Sequence, residues 1–368
     1  MPHPLLEVVQ LLKEGSVRTA YHLLHSLDYD RKTQTKDYVF ADALKKKLDV
    51  DYIEQANVYL GKYDDEEDSQ IDIFDALAKV PVLTYSYQIG NPLLAQYITE
   101  SGLADVAYMD LGLGKGSQAI AVMKLVAQRE HPPEKFTVIG LEPVPASLDA
   151  AERAIREAGK DLPFAVDFVG IDKCAEDLSW EEWQDLRQCF GGKVTINAAY
   201  SLHHIVSEPH EGDERDRVLR QLYLLNPLGF VLLEGDANHN IEDFFQRFHN
   251  CWEFYGTFFD IVDGVNELTD AEKVALKVGF FGREIEDILS EDEMANRHER
   301  LEPLSVWAER LVRAGFYLKK EIPNLPPVNH PTLAVRQYRG HVGVEYNHRT
   351  IVGVLAAQVD KYDLLHKA

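Results

Sequence analysis

Residues 106–119 (VAYMDLGLGKGSQA) constrain the fold of this chain more than any other segment. A short apolar run ends at Asp110, glycines follow at every second position (Gly112, Gly114 and Gly116), and a helical pattern begins directly afterwards. Because glycine has no Cβ, these positions let the backbone turn sharply and let its amides approach a ligand closely. The pattern therefore predicts a strand, a ligand-binding loop and a helix in succession.

An acidic residue follows at a second strand end. The apolar run FTVIGLEP ends in Glu142, 26 residues after Gly116, and in such a unit this position faces the hydroxyls of a bound ribose. The glycine spacing departs from the GxGxxG pattern of dinucleotide-binding proteins, which disfavours an NAD-dependent oxidoreductase. The loop and the distant acid together resemble the S-adenosylmethionine site of Rossmann-like methyltransferases, and this resemblance implies S-adenosylmethionine as the cofactor.

Composition excludes several classes of partner. A net charge of −23 argues against a nucleic-acid surface, and no apolar run approaches the about 20 residues of a membrane-spanning helix. The amphipathic N-terminus does not resemble a signal peptide. Three cysteines without a CxxC pair (Cys174, Cys189 and Cys251) predict reduced thiols in a cytoplasmic protein. The acidic run at 64–68 predicts a solvated loop.

Changes in periodicity divide the chain into four segments. Helical spacing predicts an N-terminal helical cap over 1–100. Alternating strand-like and helical runs predict a parallel sheet with crossover helices over 105–240. Residues 241–303 are helical again and predict an inserted cap, and 304–368 predict the rest of the core, closed by a hairpin around Asn347. The expected fold is α/β: a Rossmann-like methyltransferase core with a mostly parallel seven-stranded sheet, an antiparallel last strand and two helical caps.

Six collinear segments extend the comparison to a family. They are PVLTYSYQIGNPLLAQYI, VAYMDLGLGKGSQA, KVTINAAYSLHHI, LLEGDANHNIEDFFQRF, FFGREIEDIL and RHERLEPLSVWAERLVRAGF. Together they resemble the GRAS domain family, known mainly from plant transcriptional regulators and also found in bacteria. The resemblance covers nearly the whole chain and aligns these residues with family positions: Asn91, Asn197, His203, His204, Glu234, Asn238, His239, Asn240 and Arg247.

Two departures from the plant members suggest a bacterial-type member that retains small-molecule chemistry. Plant members often read DFDIxQGxQW at the first loop, whereas this chain keeps all three glycines. The chain also starts directly on the domain, without the variable N-terminal segment through which plant members meet partners.

Candidate site residues follow from the rule that open α/β sheets bind ligands at the carboxyl ends of their strands. We expect the cofactor at Asn91, Asp110, Gly112, Gly114, Gly116, Glu142, Asp172, Ala175 and Asn197. We expect one of His203 and His204 to act as a general base, and Glu234, Asn238 and His239 to contact the substrate. Each has a structural alternative: Asp110 would cap the loop amides, Glu142 would be a solvated strand end, Asp172 would cap the following helix, and one histidine would pack. No second ligand at HxH or HExxH spacing supports a metal site at His239.

These features lead to two hypotheses of different classes. The first is an S-adenosylmethionine-dependent methyltransferase that methylates oxygen, nitrogen or carboxyl groups of a small organic molecule, acts in the cytoplasm and forms a possible homodimer. The second is a catalytically silent GRAS-type module that binds small molecules or proteins and has a regulatory role. The intact glycines favour the first, and the absence of a catalytic signature such as NPPY favours the second.

Overall fold

The described chain divides into two units. A computed structural model describes residues 3–48, 73–206, 213–293 and 296–360, so the acidic run at 64–68 lies outside the described residues. One unit, here called the helical unit, comprises 1–84 and 237–302; the other, the sheet unit, comprises 85–236 and 303–368. The segment boundaries expected at 100, 240 and 303 stay predictions.

Helices dominate the described secondary structure. Those of the N-terminal part are α1 (Pro4–Lys13), α2 (Val17–Ser26), α3 (Thr35–Leu48), α4 (Ile73–Leu77) and α5 (Pro81–Glu100). Those between the parallel strands are α6 (Ser117–Ala127), α7 (Pro145–Gly159), α8 (Trp180–Phe190) and α9 (Glu214–Leu224). The later ones are α10 (Phe244–Asp263), α11 (Asp270–Val274), α12 (Phe281–Ser290) and α13 (Leu304–Ala314), with a π-helical segment at Ala275–Phe280. No helix in the described ranges is long and apolar enough to cross a membrane.

One nine-stranded sheet forms the centre of the sheet unit. Its parallel strands are β1 (Asp105–Leu111), β2 (Lys135–Leu141), β3 (Ala165–Ile171), β4 (Val194–Ala199) and β5 (Gly229–Gly235). Its later strands are β6 (Tyr317–Leu318), β7 (Leu333–Tyr338), β8 (His341–Tyr346) and β9 (Arg349–Gln358). The order is β3-β2-β1-β4-β5-β9-β8-β7, and β6 pairs with β9.

The α/β fold class is confirmed, although the sheet has nine strands where the sequence predicted seven. Strands β1, β2, β4 and β5 are buried almost throughout, as expected for parallel strands covered on both faces. Strand β9 runs antiparallel beside β5. The predicted closing hairpin is present, and Asn347 and His348 both have positive φ (48° and 67°), which tight hairpin turns require.

One strand, β7, escaped the sequence pattern. Strand β6, with only two residues, lies within the run FYLKKEI, which the sequence pattern predicts as a strand. Strand β7 (LAVRQY) carries Arg336 and Gln337 at adjacent positions, so it shows neither a continuous apolar run nor strict alternation.

Candidate functional site

The glycine loop joins β1 to α6 as predicted. Gly112, Gly114 and Gly116 have φ values of 100°, 53° and 76°, a region that residues with a Cβ rarely adopt. A Cβ on Gly112 would lie 3.0 Å from the Cβ of Ser201, and one on Gly116 would lie 3.0 Å from Cδ1 of Ile155. No atom lies within 4 Å of the corresponding position on Gly114. The loop is therefore packed at its two ends and open at its centre.

Glu142 fastens this loop to the end of β2. Its Oε2 accepts a hydrogen bond from the amide of Gly114 (3.0 Å), and its Oε1 accepts one from the amide of Val144 (3.1 Å). The amide of Leu113 donates to the carbonyl oxygen of Leu141 at 3.0 Å. Burial raises the pKa of Glu142, while the two amide bonds act in the opposite direction. The carboxylate of Glu142 thus binds the main chain of the loop. Each of its oxygens can still accept a hydrogen bond from one further donor.

Asp110 lies beneath the loop and is buried. Its Oδ2 accepts from the hydroxyl of Tyr108 at 2.8 Å, and its Oδ1 accepts from Nδ2 of Asn197 at 2.9 Å. Burial raises the pKa of Asp110 to about 7, against the opposing effect of these two hydrogen bonds and with a further rise from the charge of Glu142. The Asp110 carboxyl group is therefore expected to gain or lose its proton near neutral pH although it is buried.

An amide network extends from Asp110 to two helices. Nδ2 of Asn197 donates to Oε1 of Gln118 at 3.0 Å, and Nε2 of Gln118 lies within bonding distance of Oδ1 of Asn197 (3.1 Å) and of Asn91 (2.9 Å). The network ties α5, α6 and β4 together at the strand ends. The sequence pattern identified Asn91 and Asn197 but not Gln118. Its position as the second residue of α6, directly after the glycine loop, is the feature that could have pointed to it.

Tyr200 follows β4 in an unusual backbone conformation. Its φ is 56°, which costs energy in a residue with a bulky side chain and is often found at functional sites. Its hydroxyl lies 2.6 Å from Oγ of Ser86, and its ring contacts that of Tyr87 edge-on at 6.1 Å. Sequence reasoning missed these residues, although Tyr200 lies within the segment KVTINAAYSLHHI.

Glu234 organises the turn that carries the two predicted catalytic histidines. It is fully buried at the end of β5, and its Oε1 accepts from the amides of Leu202 (3.1 Å) and His203 (3.3 Å). Nδ1 of His203 lies 2.7 Å from its Oε2, within hydrogen-bonding distance. Nη2 of Arg215 donates to the carbonyl oxygen of His203 at 2.6 Å. His204 is half-buried, with its ring centroid 3.9 Å from that of His203.

The remaining predicted residues lie in three places. Asp172 is exposed directly after β3, and Ala175 is buried at the start of the 3-10 turn Ala175–Asp177. Asn238 and His239 belong to the helical unit. There, His239 is fully buried, stacks on Tyr255 with ring centroids 5.7 Å apart and donates its amide to the carbonyl oxygen of Leu301. The expected contact of Asn238 and His239 with a substrate stays a prediction.

The residues around the loop fit the nucleoside part of S-adenosylmethionine. A Cβ would fill the open space beside Gly114, so the bare backbone leaves room for a ligand there. Glu142 keeps acceptor capacity on both oxygens, which suits the two ribose hydroxyls. The carboxylate of Asp110, in contrast, is buried and already bonded on both oxygens, so it is poorly placed for the expected contact with a cofactor.

The strand order and the loop define an open α/β protein with the sheet order of Rossmann-like methyltransferases. The sequence pattern of the GRAS domain family matches residues 1–323. The chain therefore belongs to the GRAS domain family.

Named relatives of this family are plant proteins. DELLA protein RGL3 of Arabidopsis thaliana is 26% identical over 257 residues, which cover 68% of this chain and 46% of the relative. Scarecrow-like transcription factor PAT1 of the same plant is 24% identical over 245 residues, covering 64% of this chain and 48% of the relative. This chain thus spans about half the length of the curated relatives it matches.

Solved structures support the fold. SCL7 of Oryza sativa superposes with a TM-score of 0.77 at 20% identity, covering 97% of this chain and 100% of that chain. Methyltransferase structures also match, one of them with bound S-adenosylmethionine, at TM-scores of 0.36 and 0.37 in two examples. At that level of similarity they say nothing about the function of this chain.

These comparisons overturn the first functional hypothesis. The methyltransferase prediction is wrong, and so is the predicted small-molecule substrate, because the relatives are regulatory proteins such as a DELLA protein and a transcription factor. The bacterial assignment also lacks support, since these relatives come from plants. The physical reason for the error is that a glycine loop specifies a backbone path, and the same fold hosts unrelated functions.

Proposed function

We propose that this chain is a GRAS-type regulatory module that acts by binding other proteins and carries out no chemical step. Membership of the family supports the proposal, as does the similarity to a protein named as a transcription factor. Because the chain spans about half of such relatives, their complete activities are not transferred to it. A cytoplasmic location stays a prediction.

The observation that carries the proposal is the way Glu234 and His203 are used. A general base must reach the proton that it removes. Here the side chain of His203 is 7% exposed, and its Nδ1 is held by a carboxylate that also caps the amides of the same turn. The pair is therefore well suited to hold a turn, and the burial of the His203 side chain leaves little access for a substrate.

The test combines binding and turnover on the full chain. The chain is used as bait in its native cell extract, the proteins retained are identified, and the strongest is purified and titrated against the purified chain. We expect saturable binding with a fixed stoichiometry. In parallel, S-adenosylmethionine is incubated with the chain and that extract, and the demethylated product is quantified. Catalytic release of the product in many equivalents per chain, or the absence of any partner that binds in purified form, would overturn the proposal.

S-adenosylmethionine itself remains a separate prediction for this chain. Gly114 and Glu142 would hold its nucleoside part, and in methyltransferases the bound molecule supplies an activated methyl group. Calorimetry of the wild type and of Gly114→Asp tests binding alone. We expect heat with the wild type and none with the variant, because the Asp side chain fills the open space. No heat with either protein contradicts the cofactor prediction and leaves the regulatory proposal intact.

A further inference from the structure

Strand β7 ends the sheet. Among the described residues its strand partner is β8, and the order of the sheet stops at β7. In an antiparallel pair, successive residues direct their amide and carbonyl groups to alternate sides. Every second residue of β7 therefore turns its hydrogen-bonding groups away from β8. Such an edge is a template for one more strand.

Three of the usual protections against strand addition are missing from this edge. Proteins block edges with prolines, bulges or very short strands, and also with charged side chains or a covering loop. Strand β7 has six residues without a proline, and its register with β8 is unbroken from Leu333 to Tyr338. The irregularity in this part of the sheet lies between β8 and β9 instead. At the opposite edge, β3 contains Gly170 and an Asp167–Lys135 ion pair of 2.8 Å, and a glycine within a strand weakens it.

The edge is also basic in a strongly acidic protein. Residues 319–349 contain five Lys or Arg and two Glu, whereas the whole chain has a net charge of −23. Arg336 and Arg339 are exposed on β7 and its turn. Lys320 is exposed. It lies near β7, since the amide of Ile322, two residues further along the chain, donates to Oε1 of Gln337 at 2.8 Å. Positive charge is therefore concentrated along an open strand.

The two glutamates of this region differ in what they can neutralise. Glu345 is buried, pairs with Arg336 at 3.0 Å and accepts from the hydroxyl of Tyr338. Glu321 is exposed. Lys320 and Arg339 have no ion-pair partner among the described residues. The uncompensated charge of the edge is thus positive.

We infer that the β7 edge receives an extended acidic segment of a partner protein as an additional strand. Main-chain hydrogen bonds would give affinity, and side chains at alternate positions would give specificity. Arg336 and Tyr338 share one face of β7, and Val335 and Gln337 share the other. The matching segment has Asp or Glu at every second position, within reach of Lys320 and Arg339, and apolar or β-branched residues between them. This inference rests on the proposed protein-binding function and names the chemistry of the partner.

The probe is a fluorescently labelled peptide of about ten residues, the upper end of the usual strand length, in which Glu alternates with Val and Thr. Its binding to the full chain is followed by fluorescence anisotropy, and amide hydrogen exchange of the chain is measured with and without peptide. We expect saturable binding and slower exchange at alternate residues of β7, with no change in β3. A matched peptide with Lys in place of Glu should not bind.

Two controls separate strand addition from simple charge attraction. The same acidic peptide with alternate amides N-methylated keeps its charge but cannot complete the strand, so it should lose binding. Single-stranded DNA of equal charge should not displace the peptide. If the N-methylated peptide binds equally well, or if the DNA displaces the peptide, the inference is wrong.

The protein variants are matched in charge. Lys320→Glu with Arg339→Glu should weaken peptide binding by about tenfold or more, as for charges that face a partner. Arg153→Glu with Lys160→Glu, at α7 beside the opposite edge, should change binding less than about twofold. Equal effects of the two pairs would overturn the inference. If the purified cellular partner still binds the chain while the peptide does not, the docking site is wrong and the protein-binding proposal survives.

Discussion

A buried charged residue of each unit of this protein makes its hydrogen bonds to a different kind of partner. In the helical unit, Arg247 is fully buried and donates to four main-chain carbonyl oxygens. In the sheet unit, Asp110 is buried and accepts from the side chains of Tyr108 and Asn197. The first arrangement joins a side chain to backbone, and the second joins side chains to one another.

This difference determines how each unit responds to its surroundings. Burial lowers the pKa of Arg247, yet an arginine stays charged in proteins at ordinary pH. Burial raises the pKa of Asp110 to about 7, so its charge changes in the physiological range. The bonds that Arg247 makes are therefore expected to persist at any moderate pH, whereas those of Asp110 should respond to pH.

The largest expected effect is that of Arg247→Met. The substitution removes the donor to the carbonyl oxygens of Glu242 and Ile288 and leaves that of Ile241 with Arg297 alone. It should cost about 3–5 kcal/mol, because each buried acceptor that loses its partner costs about 1–3 kcal/mol. Amide hydrogen exchange of α10 as a function of urea measures the free energy of unfolding of this unit. Arg18→Met, on the exposed face of α2, serves as the control, and a loss below about 1 kcal/mol for Arg247→Met would show that the bonds contribute little.

Asp110→Asn tests the pH response of the sheet unit. The pKa of Asp110 is about 7 in the folded protein, against 3.8 for the ordinary group. The stability contribution of this raised pKa is complete below about 4 and is lost as pH rises through about 7, with a slope of at most about 1.4 kcal/mol per pH unit. Between pH 5 and 8, urea unfolding should therefore show wild type losing stability relative to Asp110→Asn. A pH-independent difference between the two proteins would contradict the assignment.

Glu234→Gln should have an intermediate effect. Glutamine has one carbonyl oxygen, so it cannot accept from both the turn amides and Nδ1 of His203. The expected loss is about 1–3 kcal/mol, the usual consequence of leaving a buried donor without a partner, measured by urea unfolding of the sheet unit. Glu309→Gln, at an exposed position of α13, should leave the free energy of unfolding unchanged. An equal loss of stability in both variants would show that the bonds of Glu234 contribute nothing specific.

The sequence predicted backbone features better than it predicted chemistry. The three glycines specify the turn after β1 because their conformations exclude other residues. Gln118 and Tyr200 could not be found in the same way, since an amide or an aromatic side chain carries no spacing rule that identifies its partner. His203 illustrates the limit for chemistry: its type and position suggest a base, its partner, Glu234, became visible only in the folded structure, and its role as a base stays a prediction.

Glu142→Gln should give the smallest and most local effect, because Glu142 is half-buried and water can replace a lost bond. Glutamine can still accept from one of the amides of Gly114 and Val144 but not from both. We expect the amide that loses its acceptor to exchange about five- to tenfold faster, equivalent to about 1 kcal/mol, while the free energy of global unfolding changes by at most about 0.5 kcal/mol. Glu152→Gln on α7, which pairs with Arg156 near the surface, should leave both amides unchanged. A global loss as large as that of Glu234→Gln would mean that the loop unfolds together with the sheet and that Glu142 does not hold it locally.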